Sequence, residues 1–296
     1  RCWGKIKLPK LGWVKARIHR TFVGRIKTAT VKMLPSGEYY VSLSVEHSES
    51  VYENTNTVPA NFVVALDLGI KDFYVDSNST RVEAPKALFK YERRLKKLQR
   101  NLSRKVVGSK NFEKARVRLA KLHQRISNIR KDFIEKQSSK IINENQVIIC
   151  EDLRIRNMVQ NNRLAKSILD VSWSQFISML GYKAKRHNRV FVQLSLNFPS
   201  SQLCSNCGYK NEAVRDLSVR IWQCPNCGAL HNRDHNAAKN LLKHGLMQLG
   251  ISADCISKYV GLGRSEPNGY ACGGKTSAIV DTPMVSLAYE AGSPRL

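Results

Sequence analysis

The chain has 296 residues, 42% of them hydrophobic, enough for about two domains and a sizeable core, which excludes disorder throughout. No run approaches the roughly 20 apolar residues of a transmembrane helix. The 49 Lys and Arg against 23 Asp and Glu leave a net charge of +26. An acidic small-molecule substrate does not need such a surplus. A polyanion such as RNA or DNA does, because each neutralised phosphate releases counterions.

The chain opens on Arg1-Cys2-Trp3, without methionine and directly in strand-like sequence, and is expected to be a piece of something longer. Residues 1–60 read as strands. Thr28 to Met33 run into the turn Leu34-Pro35-Ser36-Gly37, after which Tyr39, Val41, Leu43 and Val45 alternate with Tyr40, Ser42 and Ser44. Period two after a Pro/Gly turn predicts a hairpin. Lys5, Lys7, Lys10, Lys15, Arg17, Arg20, Arg25 and Lys27 make this a small basic β-domain. The plainer reading is a charged edge that keeps strands from pairing with other chains.

From Asn61 the pattern changes. Phe62 to Leu66 form an apolar run closed by Asp67, and Phe73-Tyr74-Val75 a second short strand, as in a buried sheet. Residues 90–137 read as a helical hairpin. Leu95, Leu98 and Leu102 mark one stripe, Val106 to Ser109 interrupt it, and Ala115, Leu119, Leu122, Ile126, Ile129 and Phe133 mark the next. Between Lys90 and Leu122 stand 13 Lys and Arg against two acids, Glu92 and Glu113. Basic residues on a surface helix often only face solvent. So one-sided a surplus would repel itself, so the stretch is expected to contact nucleic acid through Lys90, Arg93, Arg94, Lys96, Lys97, Arg100, Arg104, Lys105, Lys114, Arg116, Arg118 and Lys121.

Val147-Ile148-Ile149-Cys150-Glu151 is another buried strand ending in an acid, with Cys150 a core residue. One helix is expected from about Leu164 to His187, with Leu169, Trp173, Phe176, Ile177 and Leu180 on one face, followed by a strand over 190–194. His231 to His244 reads as a last helix. Beyond about residue 246 Gly and Pro punctuate a tail expected to be disordered or loosely held.

Asp67 and Glu151 each close a strong apolar strand. Two carboxylates converging at neighbouring strand ends repel unless a cation lies between them, and Mg²⁺ suits such oxygen ligands. Asp234, near the start of the last helix, is a candidate third ligand. Two ions there would activate water and stabilise the leaving oxygen of a phosphodiester. Spacing alone does not separate these from Asp72, Asp76 and Asp152, which also lie near element ends. Asp234 is equally readable as an N-cap, and Asp72 or Asp76 as turn formers.

The eight cysteines include two tight pairs, Cys204-Ser-Asn-Cys207-Gly208 and Cys224-Pro-Asn-Cys227-Gly228, sixteen residues apart. Two such turns converge four thiolates, as tetrahedral Zn²⁺ requires, with no open position for catalysis. A redox CxxC needs only one pair. His231 is close but unnecessary, and is assigned to the next motif.

With these residues in place, the chain resembles the TnpB/OrfB family of transposon-encoded, RNA-guided nucleases, relatives of the type V CRISPR effectors. The resemblance rests on Leu8-Pro9-Lys10-Leu11-Gly12-Trp13, Ala65-Leu66-Asp67-Leu68-Gly69, Cys150-Glu151-Asp152-Leu153, Asn157-Met158, Phe198-Pro199-Ser200-Ser201, both CxxCG pairs and Arg233-Asp234-x-Asn236-Ala237-Ala238-x-Asn240. It implies an α/β fold: an RNase H-like (RuvC) domain with an inserted basic helical hairpin and a zinc-ribbon insertion, preceded by a partial β-barrel wedge domain. The expected division is a wedge-like part at 1–60, a nuclease domain at 61–198 with its helical insertion at 90–137, a zinc ribbon at 199–228, a final nuclease helix at 229–245 and a tail at 246–296.

The resemblance further implies catalytic Asp67, Glu151 and Asp234 with two Mg²⁺. It implies one structural Zn²⁺ on Cys204, Cys207, Cys224 and Cys227, and adds Arg233 to the nucleic-acid contacts. The partners would be a guide RNA from the transposon end and a double-stranded DNA target, with no membrane, in a prokaryotic cytoplasm. Guide pairing would supply sequence specificity while the protein reads shape and a short flanking motif. The competing readings are a non-cleaving RNA- or DNA-binding remnant, repressor-like in effect, and a transposase proper.

Two departures stand out. Asn232 occupies a position where the family commonly has Asp, and the opening wedge strand and helical recognition domain of full-length relatives have no counterpart, so target discrimination is expected to be poor.

Overall fold

The computed structural model describes residues 2–19, 22–46, 63–195 and 198–250. Two N-terminal hairpins form, the second of them the one that the sequence predicts. Strand β1 (Cys2–Leu8) pairs antiparallel with β2 (Gly12–Ile18), and β3 (Arg25–Met33) with β4 (Tyr39–Glu46) around the Pro/Gly turn, where the Gly37 amide donates to Leu34 O at 2.8 Å. In β4 the alternation holds, with Val41, Leu43 and Val45 half-buried between exposed neighbours. Strand β3 is exposed along its length, and the two hairpins form separate two-stranded sheets. Residues 47–62, which contain the expected boundary at residue 60, lie outside the described residues, as do 251–296, most of the expected tail.

Five strands build the central mixed sheet: β5 (Val63–Leu68), β6 (Asp72–Asp76), β7 (Arg81–Glu83), β8 (Val147–Glu151) and β9 (Val190–Leu194), in the order β7-β6-β5-β8-β9. Strands β5, β8 and β9 run parallel, while β6 and β7 run antiparallel to their neighbours. Apart from Asp67 and Glu151 near their C-terminal ends, strands β5 and β8 are apolar because both faces are covered. Val64, Leu66, Ile148 and Cys150 pack with Ile134, Ile141 and Ile142 of α2 (Lys110–Glu144) and with Trp173, Phe176 and Leu180 of α5 (Trp173–Arg186). Ala65, Val147 and Ile149 pack instead with Leu241, Leu242 and Leu246 of α6 (Arg233–Gln248). Fully burying each of the larger aliphatic and aromatic side chains contributes about 1.5–3 kcal/mol. A Cβ at Gly245 would lie 2.6 Å from Ile149 Cδ1, so only glycine lets α6 approach β8 this closely.

The helices correct three boundaries. Helix α1 (Ala87–Ser103) and α2 form the expected hairpin, but α2 runs to Glu144 and not to 137. Its buried stripe continues through Ile134, Ser138, Ile141 and Ile142, and the Ser138 hydroxyl donates to Ile134 O at 2.7 Å, so a buried polar residue does not end the helix. The helix expected over 164–187 is two, α4 (Asn162–Val171) and α5, preceded by the short α3 (Ile155–Val159). Ser172 joins α4 to α5 with φ 61°, a left-handed residue that breaks the helical period. Leu169 consequently leaves the stripe and is 57% exposed, while Trp173, Phe176 and Leu180 are buried.

The third correction is at the last helix. Helix α6 starts at Arg233 and ends at Gln248, past the expected end at 245, while His231 belongs to β11 (Leu230–Asn232), paired with β10 (Ile221–Gln223). Among the described residues no helix is long and apolar enough to cross a membrane.

Helix α1 lacks a side-chain cap of its own. Asp170 of α4 accepts from the Leu88 amide at 3.0 and 3.1 Å, and Arg130 Nη2 lies 2.6 Å from the same carboxylate. A carboxylate at the positive end of the helix satisfies a free amide and favours the dipole.

Candidate active site and metal-binding module

Strand parity brings the acids together. Asp67 falls in β5 two residues after Ala65, and Glu151 in β8 two residues after Ile149, so both share the face that α6 covers. The parallel register pairs Leu66 with Cys150, and Asp67 and Glu151 lie one step beyond. Asp234 comes from the first turn of α6, over the same face. Its reading as an N-cap does not hold: Asn232 caps the helix, its side chain accepting from the His235 amide at 3.4 Å.

The other strand-end acids are occupied elsewhere. Asp76 is a turn former, its Oδ1 accepting from the amides of Asn78 at 2.9 Å and Thr80 at 2.7 Å. Asp72 lies 3.7 Å from Arg81 Nη1, and Asp152 is exposed.

Electrostatics mark the trio. Burial pushes the Asp67 carboxyl well above the usual carboxylate range, and the charges of Glu151 and Asp234 push it further, against the opposing pull of Arg233 and Arg220. Burial also raises Glu151, offset by the hydroxyl of Ser200, which donates to Glu151 Oε1 at 2.7 Å. Arg220 Nη1 lies 3.4 Å from Asp234 Oδ1. Two carboxylates whose charge acts on a third, buried one form a donor set suited to a hard divalent cation.

The thiolate module is closed. Cys204 Sγ lies 3.6 Å from Cys227 Sγ, and Cys207 Sγ 3.6 Å from Cys224 Sγ. All four sulfurs lie within 4.8 Å of one another, the one such group of candidate metal ligands among the described residues; the three acids are more widely spaced. Tetrahedral Zn–S bonds of about 2.3 Å require sulfurs about 3.8 Å apart, so the cluster fits a metal ion without rearrangement. The two turns repeat one hydrogen-bond pattern, Gly208 N to Cys204 O and Gly228 N to Cys224 O, both 2.9 Å, with both glycines at positive φ. His231, assigned from sequence to the following helix, belongs to this module instead: its Nε2 is 3.0 Å from Cys204 Sγ and its ring lies against Trp222.

Of the residues expected to meet nucleic acid, Arg93, Lys96, Lys97, Arg100, Arg104 and Lys105 line one cavity of about 670 Å³ along α1 with Asn101. Lys90, Arg94, Lys114, Arg118 and Lys121 are exposed, while Lys96 pairs with Glu92 and Arg116 with Glu113. Arg233 is placed differently: it is buried, and its guanidinium donates to Asp216 O.

Sequence reasoning named Ser200, Asn236 and Asn240 only as motif residues, without a role, and singled out neither His235 nor Lys243. His235 Nε2 lies 2.8 Å from Ser79 Oγ, fixing the first turn of α6 to the β6–β7 turn. The signal available was two Asn four residues apart, then Lys three residues on, along one side of a helix.

Comparison with known proteins finds relatives over most of the chain. Residues 41–162 match a family profile described as "Probable transposase" (OrfB_IS605), and residues 173–241 match "Cas12f1-like, TNB domain". A Streptomyces pristinaespiralis protein named "Putative RNA-guided DNA endonuclease" is 39% identical over 219 residues, covering 74% of this chain and 53% of that relative. The Escherichia coli K12 protein "Putative RNA-guided DNA endonuclease InsQ" is 32% identical over 256 residues, covering 81% and 62%. The cryo-EM structure of a Cas12f1–sgRNA–target DNA complex aligns at a TM-score of 0.44 and 18% identity, covering 63% of this chain and 50% of that one. The chain thus spans between half and two thirds of the length of these curated relatives. The first profile includes Asp67 and Glu151, the second the four cysteines and Asp234, and across both the chain is similar to TnpB/OrfB-type proteins.

Proposed function

We propose that the chain is the nuclease portion of an RNA-guided, Mg²⁺-dependent DNA endonuclease of a transposable element, built on a RuvC-like RNase H fold. The observation that carries this reading is that Asp67 and Glu151 stand at the ends of adjacent parallel strands on the face covered by α6, whose first turn carries Asp234. Relatives named as RNA-guided DNA endonucleases support it, as does the surplus of basic residues.

Asp67, Glu151 and Asp234 would hold the divalent ions, which when bound supply water activation and stabilisation of the leaving oxygen. The guanidinium of Arg220, 3.4 Å from Asp234, is positioned to meet a phosphate at the site. Cys204, Cys207, Cys224 and Cys227 would hold one Zn²⁺ as a brace. The cavity along α1 accepts the backbone of a guide–target duplex, and the β1–β4 hairpins act as a wedge-like RNA- and DNA-contacting part. The expected setting is the prokaryotic cytoplasm, with guide RNA and double-stranded target DNA as partners.

The test is cleavage of a matched DNA duplex by the purified chain with RNA from its own locus and Mg²⁺, against Asp67→Ala. Guide-dependent cuts that vanish in the variant support the reading. RNA binding without cuts in either protein favours a non-cleaving binder.

A further inference from the structure

We propose that Ser200 is a positioning residue for Glu151, held in place by a polar stripe on α6. The inference rests on the three-acid reading above and adds to it the group that orients the second acid.

Glutamate has three side-chain torsions, and ordering them costs free energy. A hydroxyl donating at 2.7 Å to a carboxylate oxygen is a strong, charge-assisted bond that fixes the headgroup. For that purpose the hydroxyl must itself be fixed. Ser200 is buried, and its backbone is held on both sides: its amide donates to Phe198 O at 2.8 Å, and its carbonyl accepts from Asn240 Nδ2 at 2.8 Å.

The same stripe of α6 grips the rest of the segment. Asn240 Nδ2 and Asn236 Nδ2 each lie 2.6 Å from Leu203 O, and Asn236 Oδ1 accepts from Ser205 N at 2.9 Å. Lys243 Nζ donates to Ser205 O, and the His244 ring stacks on Phe198 at 4.2 Å. Residues 236, 240, 243 and 244 follow the helical period along one side of α6. The helix that carries Asp234 therefore holds the backbone that carries Ser200, and the segment leads directly into Cys204. One rigid frame sets both Asp234 and the orientation of Glu151.

The experiment is Mn²⁺ binding, read from the electron paramagnetic resonance of free Mn²⁺. It uses the full chain loaded with zinc and the variants Ser200→Ala, Ser200→Thr, Asn240→Ala and Glu151→Gln, with folding checked by circular dichroism. Ser200→Ala is expected to weaken Mn²⁺ about 10- to 100-fold, the usual cost of removing a group that orients a metal ligand. Ser200→Thr, which keeps the hydroxyl, is expected to bind like the parent. Asn240→Ala, which keeps the hydroxyl but frees its backbone, is expected to fall between them. Parent-like binding by Ser200→Ala, or Ser200→Thr as weak as Ser200→Ala, overturns the inference alone. A parent that binds no Mn²⁺, or whose binding Glu151→Gln leaves unchanged, overturns the three-acid reading beneath it.

Discussion

Asp67 and Glu151 stand at the ends of adjacent parallel strands, one register step past the paired Leu66 and Cys150, on the face that α6 covers. Burial and neighbouring charge hold the Asp67 carboxyl above the usual range. The folded state therefore binds that proton more tightly than the unfolded chain does. Without a divalent cation, the site costs stability above the raised folded pKa, and the cost fades as pH falls toward the ordinary carboxylate value of about 4. Asp67→Asn is expected to raise the Tm at neutral pH without added Mg²⁺, with the gain closing as pH is lowered. Thermal unfolding across pH measures it, and identical curves for both proteins would mean that the acids do not burden one another.

The basic cavity along α1 makes a prediction in salt. Lys97, Arg100 and Arg104 line it together. If each neutralises one phosphate, replacing all three by Ala should flatten the slope of log K against log salt concentration by about 2 to 3 units, at roughly 0.7–0.9 per contact. Filter binding of a guide-length RNA over a range of KCl reads this directly. An unchanged slope would remove α1 from the interface.

The thiolate module should carry about one zinc per chain, since four sulfurs converge with no further position for a ligand. Cys207→Ser is expected to reduce the zinc content measured by plasma emission. It should also increase proteolysis within the Cys204–Asn232 segment, because this module buries only Cys204, Val214, Trp222 and Cys224 as its own core. Full zinc content in the variant would count against the four-thiolate site.

Gly245 is where α6 touches the sheet. A Cβ there would lie 2.6–2.9 Å from three atoms of the buried Ile149 side chain. Gly245→Ala is expected to destabilise the fold by about 1–3 kcal/mol, the cost of overpacking a filled core, although alanine favours the helix. Urea denaturation gives the value; a stabilised variant would show that α6 shifts freely.

Asp170 of α4 ties α1 to α2, since its carboxylate caps α1 and pairs with the half-buried Arg130. Asp170→Ala leaves both a helix amide and a guanidinium without that partner. A loss of about 2–4 kcal/mol is expected, in the range for breaking a largely buried pair. Urea denaturation that moved by only a few tenths would indicate that water replaces the carboxylate.

The local elements were legible in the residues themselves. Alternation identified β4, unbroken apolar runs identified β5 and β8, and the CxxCG pairs identified a thiolate cluster, because period and ligand spacing are properties of neighbouring residues. The resemblance then singled out Asp67, Glu151 and Asp234 from six comparable acids. What the sequence left undecided depended on distant contacts. Ser172 breaks a continuous helical pattern because the packing of α4 and α5 requires a turn there, and His231 joins the thiolate module because β11 pairs with β10. Arg233 is turned inward by the carbonyl of Asp216, a partner that no local pattern announces. Ser200 could not be chosen from the two serines of its motif, since what distinguishes it is a carboxylate 49 residues away and a carbonyl grip from α6. Sequence alone determined which residues could do chemistry; the tertiary structure decided which of them share a face, because register and helix docking are set by the whole core.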